Sequence, residues 1–275
     1  MSLSGNSQVV QANGLRLHYL EWGSPGMGTP TVLLHGFGNE AHIWDLFAPA
    51  IVARCHVFAP DARGHGDSQW AAEYGAEHNA ADLAALLDAL RLPAISLVGF
   101  SMGGVCSLLY TSDHPERVQR LVLVDVGPAA SPGGTQNIRH VVQRARDVFP
   151  SADEALAYIR LANPRRAEEL VQASLRHAFR RHDDGTYALK SDPALRQSAA
   201  SQPRPSEAQL WERLGRIGCP CLIVRGGESP QLSEATAERM LEVLPNARLE
   251  VVAGAGHAVM MDNPAGFEAV VSSFL

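Results

Sequence analysis

Ser101 has the sequence surroundings best suited to nucleophilic chemistry. It lies at the centre of a pentapeptide with a glycine at each end, Gly99-Phe100-Ser101-Met102-Gly103. The short apolar run Ile95–Val98 precedes this pentapeptide and predicts a strand, and a helical pattern follows over Met102–Asp113. A Gly-x-Ser-x-Gly sequence between a strand and a helix predicts a tight, strained turn that exposes the serine hydroxyl. We therefore predict that Ser101 is the nucleophile of an acyl-transfer reaction.

A general base for this serine must lie within hydrogen-bond reach of its hydroxyl. His257 follows the apolar run Leu249–Val252 and closes the sequence Gly254-Ala255-Gly256-His257. The chain contains 11 histidines, so most of them are expected to be surface or structural residues. The flanking glycines and the position after the last predicted strand favour His257 as the base.

Acyl transfer also needs two backbone N–H groups that stabilise the developing oxyanion. The amide of Met102, the residue after the nucleophile, is the first candidate. The second is expected in the glycine-rich loop His35-Gly36-Phe37-Gly38, which follows the apolar run Thr31–Leu34. We predict that Phe37 and Met102 form the oxyanion hole.

The elements that must hold these residues alternate between strand and helix, which is typical of an α/β fold with a mostly parallel sheet. The apolar runs that predict strands buried on both faces are Thr31–Leu34, His56–Ala59, Ile95–Val98, Leu121–Val124, Cys221–Val224 and Leu249–Val252. The predicted helices are His78–Leu90, Met102–Asp113, Ser233–Leu244 and Pro264–Phe274, the last with Asn263 as its N-cap. An Asn13-Gly14 turn between Val9–Gln11 and Leu15–Glu21 predicts an N-terminal hairpin.

The segment between Val126 and Gly218 interrupts this alternation. It contains no convincing buried strand and shows helical patterns over Ala152–Leu161 and Ala167–Phe179. We therefore predict a core, residues 1–126 and 219–275, and a helical insertion, residues 127–218. One or two of the many arginines in the insertion could turn inward and bind a substrate carboxylate, although the sequence does not indicate which.

Composition and charge restrict the class of partner. The 275 residues carry a formal net charge of −6, which argues against nucleic-acid and anionic-membrane partners because both require a basic surface. No apolar run approaches about 18 residues, and residues 1–8 lack the features of a secretory signal, so a cytoplasmic location is expected. The four cysteines lack zinc-ligand spacing. We predict a small-molecule substrate with no metal site and no cofactor, and leave the oligomeric state open.

Together these motifs resemble the α/β-hydrolase superfamily over nearly the whole chain. The resemblance is carried by the 35–38 loop, the serine pentapeptide, Gly256-His257 and the segment Asp61-Ala62-Arg63-Gly64-His65-Gly66-Asp67-Ser68. It implies a doubly wound, mostly parallel sheet of about eight strands flanked by helices, with the insertion as a cap over the active site. It also implies that the 61–68 segment is mainly structural, with a direct catalytic role for His65 less favoured.

The acid of the expected triad departs from the family pattern. In many members an aspartate orients the base histidine from the loop after the strand that corresponds to Cys221–Val224, where this sequence has Pro230. Some members, such as the acetamidomethylene-succinate hydrolases and certain cofactor-free oxygenases, use an earlier position, which corresponds to Asp125 here. By that resemblance Asp125 is the preferred acid and Glu228 is the alternative. Asp125 could also be only a cap on the loop that leaves its strand.

The implied reaction is hydrolysis of a small to medium carboxylic ester, amide or related carbonyl compound through an acyl-enzyme. Two other functions stay open. A cofactor-free oxygenase or perhydrolase on the same scaffold is weakly favoured by the position of Asp125 and by the residues around Ser101. A non-enzymatic receptor or scaffold protein is disfavoured by the intact Ser101 and His257, although a fold alone does not determine function.

Overall fold

The computed structural model describes residues 5–129, 131, 146–196 and 205–275. Eight strands of these residues form one sheet and three form a smaller sheet. In chain order the strands are β1 (Asn6–Ala12), β2 (Leu15–Trp22), β3 (Thr31–Leu34), β4 (Val57–Pro60), β5 (Ile95–Phe100), β6 (Val118–Val124), β7 (Val148–Phe149), β8 (Phe179–Arg181), β9 (Tyr187–Leu189), β10 (Cys221–Gly226) and β11 (Ala247–Val252). The large sheet has the order β1-β2-β4-β3-β5-β6-β10-β11.

Neighbouring strands from β4 to β11 of this sheet are parallel, and only the pairs β1–β2 and β2–β4 are antiparallel. The described helices are α1 (Ala48–Ile51), α2 (Ala76–Ala89), α3 (Met102–Asp113), α4 (Ala152–Ala162), α5 (Glu168–Ala178), α6 (Glu207–Leu214), α7 (Glu234–Val243), α8 (Val259–Asp262) and α9 (Pro264–Ser272). Short 3-10 turns occupy Ala41–Trp44 and Pro115–Arg117. The predicted α/β fold with a mostly parallel eight-stranded sheet is confirmed.

The central strands are buried on both faces because successive side chains of a strand point to opposite sides of the sheet. In β5, Leu97 belongs to the apolar core on one face and Val98 to the core on the other. In β6, Leu123 and Val124 divide between the two cores in the same way. Burial on both faces removes the need for polar residues at alternate positions, which explains the continuous apolar runs in the sequence.

The ends of the large sheet differ from its centre. At one end the Asn13-Gly14 turn joins β1 to β2 with positive φ at both residues, +50° and +72°, as the predicted hairpin requires. At the other end, the prediction that Leu249–Val252 is buried on both faces is wrong. The strand β11 lies at the edge of the sheet, and Val251 is 52% exposed. An edge strand has a neighbour on one side only, so it is less completely covered.

Two helix termini can be compared with the sequence. Asn263 caps α9 as predicted, and its side chain accepts a hydrogen bond of 2.9 Å from the Gly266 amide. The helix α2 begins at Ala76 rather than at the predicted His78.

No helix in the described ranges combines the length and apolar character needed to cross a membrane.

The insertion contains strands as well as the predicted helices. Beside α4 and α5 it holds the small antiparallel sheet, in the order β7-β9-β8. An apolar cluster around Phe149, Ile159 and Phe179 holds these elements together. Strands of two or three residues are too short to produce a recognisable sequence periodicity, so the sequence indicated helices only. Residues 130, 132–145 and 197–204 of the predicted insertion lie outside the described part of the chain.

The helix α6 falls within the predicted 127–218 insertion but packs elsewhere. Leu210 and Leu214 on this helix belong to the main apolar core under the large sheet. The helix α6 therefore packs as part of the core, although the predicted core resumes only at residue 219.

Candidate active site

Ser101 lies at the turn between β5 and α3, in a conformation that L-residues rarely adopt. Its φ is +52° and its ψ is −113°, a strain that costs on the order of 1–3 kcal/mol. A Cβ atom on Gly99 would lie 2.2 Å from the hydroxyl oxygen of Ser107, and one on Gly103 would lie 2.5 Å from the carbonyl oxygen of Leu34. Close packing therefore requires both glycines of the pentapeptide.

A continuous chain of hydrogen bonds joins Ser101 to a carboxylate. His257 Nε2 lies 3.1 Å from Ser101 Oγ, and His257 Nδ1 lies 2.7 Å from Asp125 Oδ2. An ionised carboxylate can only accept hydrogen bonds, so Nδ1 carries the ring proton and Nε2 is free to accept the serine proton. The Phe100 ring packs against the imidazole, with ring centroids 4.8 Å apart. The geometry allows His257 to act as a general base toward Ser101.

Asp125 is almost completely buried at the end of β6 and has a positive φ of +50°. Its Oδ1 accepts a hydrogen bond of 3.1 Å from the Gly226 amide, and its Oδ2 accepts one from the Ser229 hydroxyl as well as one from His257. These three donors hold the carboxylate in one orientation toward the imidazole. No sequence motif pointed to Ser229, whose contact with Asp125 spans 104 residues of chain.

Glu228, the alternative acid, lies in a different environment. Its side chain is 54% exposed and forms an ion pair with Arg165. The hydrogen-bond partners of the His257 ring in the described residues are Asp125 and Ser101. Glu228 lines the same cavity as Ser101, but its carboxylate is directed to the Arg165 guanidinium.

The 35–38 loop packs against Ser101. A Cβ atom on Gly36 would lie 3.2 Å from the Ser101 Cβ, so the two backbones approach closely. His35 holds this loop, because its Nε2 accepts a hydrogen bond of 2.9 Å from the Ala62 amide while its Nδ1 donates to the Gly36 carbonyl at 2.8 Å. Burial lowers the pKa of His35, which favours the neutral ring that this pair of hydrogen bonds requires.

The two amides predicted to bind the oxyanion border this region. Phe37 is half-buried in the cavity lining, and Met102 is the first residue of α3. Within the described residues, neither amide donates a backbone hydrogen bond. Met102 lines a smaller neighbouring pocket rather than the cavity that contains Ser101, and an oxyanion hole would require both amides to face the substrate carbonyl.

Asp61 is the centre of the contacts in the 61–68 segment. Its Oδ1 accepts from the Ala41 amide at 2.7 Å, and its Oδ2 accepts from His18 Nδ1 at 2.7 Å and from the Asp67 amide at 2.8 Å. Burial by itself would raise the pKa of Asp61, but the hydrogen bond from His18 lowers it. These contacts tie the segment to β2 and to the 3-10 turn at Ala41.

His65 lies in the same segment and lines the cavity. Its Nδ1 donates to the Arg63 carbonyl at 3.0 Å, and its ring packs 5.9 Å from the ring of Phe37. Burial, with a smaller contribution from His35, lowers the pKa of His65 to about 3. The ring is therefore neutral at physiological pH and supports the wall of the cavity beside Phe37.

The serine opens into a cavity of about 610 Å³. Residues of the core and of the insertion line it together, including Ser101, His257, Glu40, Ile159, Arg166 and Leu195. Most of the exposed surface of the lining is apolar, and charged side chains of both signs contribute to it as well, among them Glu40, Asp262 and Arg166. A cavity of this size and character suits a small molecule.

Two groups of potential metal ligands occur in the described residues. The donor atoms of His42, Asp45 and His177 lie within 4.8 Å of one another, but the two imidazole rings are stacked with centroids 3.5 Å apart. Ring-nitrogen lone pairs lie in the ring plane, so both stacked rings cannot point at one ion without rotating. The second group surrounds Asp61, whose oxygens already accept the hydrogen bonds given above.

Comparison with known proteins identifies relatives that are named hydrolases or esterases. The family model for the alpha/beta hydrolase fold matches residues 29–264. The chain is 31% identical to the 2-hydroxy-6-oxo-2,4-heptadienoate hydrolase of Pseudomonas putida, over 98% of this chain and 95% of that protein. It is 30% identical to esterase Rv0045c of Mycobacterium tuberculosis, over 97% and 88%. The crystal structure of E-2-(acetamidomethylene)succinate hydrolase shares the fold, with a TM-score of 0.86 at 24% identity over 98% of both chains.

Proposed function

This chain belongs to the alpha/beta hydrolase fold family and is a hydrolase, and we propose that it cleaves a small to medium carboxylic ester, amide or related carbonyl compound through an acyl-enzyme. The observation that supports this proposal is the hydrogen-bonded chain from Asp125 through His257 to Ser101, which ends in a cavity of about 610 Å³. The similarity to an esterase and to a heptadienoate hydrolase adds support for this range of substrates.

In the first half of the proposed reaction, Ser101 Oγ attacks the substrate carbonyl carbon. His257 Nε2 takes the hydroxyl proton as the Oγ–C bond forms, and the buried Asp125 carboxylate stabilises the resulting imidazolium. The Phe37 and Met102 amides donate to the oxygen that becomes negative. The tetrahedral intermediate then expels the leaving group, which receives the proton from Nε2.

In the second half, water replaces the leaving group. His257 Nε2 takes a proton from this water as its oxygen attacks the acyl carbon, and the proton then returns to Ser101 Oγ when the acyl–oxygen bond breaks. The products are the carboxylic acid and the free enzyme. Every proton transfer in this sequence is assigned to His257, so the reaction needs no cofactor.

The insertion, predicted as residues 127–218, acts as a cap in this proposal. Its side chains Ile159, Arg166 and Leu195 face the same cavity as the serine. A cap excludes water from the acyl-enzyme and shapes the substrate pocket.

Covalent labelling tests this proposal directly. We expect a fluorophosphonate to add once to the wild-type chain, as measured by intact mass, and not to add to Ser101→Ala. Ser191 is a second serine in the lining of the cavity, so Ser191→Ala is the matched control and should label at the wild-type rate. Absence of labelling in the wild type, or equal labelling of Ser101→Ala, would overturn the proposed function.

A further inference from the structure

The arginines of the insertion divide according to their partners. Most of the described ones form ion pairs with carboxylates: Arg146 with Glu154, Arg160 with Glu168, Arg165 with Glu228, Arg196 with Asp147, Arg213 with Asp113 and Arg216 with Glu212. Three others, Arg176, Arg180 and Arg181, are exposed. Arg139, Arg144 and Arg204 lie outside the described residues.

Arg166 fits neither group. It is partly buried, lines the cavity that contains Ser101 and His257, and forms no ion pair with any carboxylate of the described ranges. Its Nη1 donates to the Ser174 hydroxyl at 2.7 Å, and that hydroxyl donates in turn to the Leu170 carbonyl at 2.8 Å. Its Nε is buried and has no hydrogen-bond partner among the described residues.

The contact with Ser174 leaves part of the guanidinium unused. Nη1 is bound to the Ser174 hydroxyl and Nε is buried, so Nη2 is the nitrogen that remains for a ligand in the cavity.

A partly buried guanidinium without a counter-ion is unfavourable, because it has lost water without gaining an anion. Burial lowers the pKa of Arg166, and the charges of Glu40 and Asp262 oppose this only in part. Neither carboxylate pairs with Arg166. Asp262 accepts hydrogen bonds from Asn163 Nδ2 at 3.0 Å and from the Gly256 amide at 2.8 Å, and Glu40 accepts one from the His42 amide at 2.6 Å.

We propose that the substrate carries a carboxylate separate from the carbonyl that Ser101 attacks, and that the Arg166 guanidinium binds this carboxylate through Nη2. This inference rests on the proposed function and narrows its substrate to acids that contain a second, cleavable carbonyl group. Arg166 then determines specificity and orients the substrate, and it takes no part in proton transfer. A charge-assisted hydrogen bond from a partly buried guanidinium discriminates against neutral substrates.

The test compares charged and neutral acyl groups of similar length. The probes are the p-nitrophenyl half-esters of succinate, glutarate and adipate, with p-nitrophenyl hexanoate as the neutral ester. We expect the wild type to have a higher kcat/KM for at least one half-ester than for the hexanoate. In Arg166→Gln the ratio of the two kcat/KM values should fall about 10- to 100-fold, mainly through KM. Arg160→Gln removes an exposed, paired arginine of the same insertion and should leave the ratio unchanged.

The inference fails if the wild type prefers the hexanoate over every half-ester, a result that does not depend on whether the variant folds. It also fails if Arg166→Gln lowers kcat/KM for both classes by the same factor. In either case fluorophosphonate labelling of Ser101 would still support the hydrolase function. If the wild type does not label, the proposed function itself fails.

Discussion

Replacement of Asp125 by asparagine tests the ring tautomer of His257 on which the proposed mechanism depends. Asparagine has nearly the same shape as aspartate, so the substitution leaves no cavity. Asp125 Oδ1 accepts from the Gly226 amide at 3.1 Å, and Oδ2 accepts from His257 Nδ1 at 2.7 Å. A backbone amide can only donate, so the asparagine must place its oxygen against Gly226 and its NH₂ group against His257.

The size of the effect follows from this orientation. An NH₂ group facing Nδ1 requires Nδ1 to accept, so the single proton of the neutral ring moves to Nε2. Nε2 would then donate toward Ser101 Oγ, although the reaction requires it to accept the serine proton. The same substitution in a Ser-His-Asp triad lowers kcat about 10⁴-fold, which corresponds to about 5 kcal/mol of activation free energy. We expect a loss of this order in ester turnover and in the rate of fluorophosphonate labelling.

The assay is a time course of labelling by intact mass, combined with steady-state hydrolysis of a p-nitrophenyl ester. Glu228→Gln is the matched control, because it removes an exposed carboxylate that pairs with Arg165 and should change both rates little. Equal Tm values for the two variants would show that both are folded. Labelling of Asp125→Asn within about tenfold of the wild-type rate, or a larger loss in Glu228→Gln, would refute the reasoning.

Two further predictions concern stability. Gly103→Ala should lower the free energy of unfolding by about 1–3 kcal/mol through overpacking, because the new Cβ would lie 2.5 Å from the Leu34 carbonyl oxygen. Gly218→Ala is the control and should be neutral, because a Cβ atom at Gly218 has no atom within 4 Å. Similar Tm values for these two variants would contradict this account of the turn. Burial raises the pKa of Glu40 from 4.5 to about 7. Between pH 4.5 and pH 7 the folded state therefore binds more protons than the unfolded state. The free energy of unfolding consequently falls as pH rises through this range, by up to about 3 kcal/mol. Glu40→Gln should therefore raise Tm more at pH 8 than at pH 5, and an equal change at both pH values would show that Glu40 is not the cause.

Local sequence was sufficient for the fold and for the turn that carries Ser101, the proposed nucleophile. The apolar run of β5, the glycines around Ser101 and the helical pattern of α3 lie within about 20 consecutive residues, and each acts through backbone sterics or side-chain periodicity. The same is true of the Asn13-Gly14 turn and of Asn263 at the start of α9, which the structure confirms. Short strands such as β8 and β9 carry no such periodicity, so the sequence did not indicate them.

Which carboxylate contacts His257 depends on tertiary structure. The sequence offered Asp125 and Glu228, and nothing in either local segment states which carboxylate can reach His257. Parallel pairing of β6 with β10, with Val124 opposite Val224, places Asp125 beside Gly226 and directs its carboxylate to the imidazole. The loop after β10 instead carries Glu228 outward to Arg165.

The partners of Arg166 also depend on tertiary structure. The arginines of the insertion are equivalent in composition, and only the packing of α5 and the Ser174 contact distinguish the one that faces the cavity without a carboxylate partner in the described residues. Residue order and type determined the central strands, the Asn13-Gly14 turn and the turn that carries Ser101, because those features depend on neighbours in the chain. The tertiary structure decided the partner of His257 and the cation in the cavity, because hydrogen bonds and burial depend on residues that are distant in sequence and close in space.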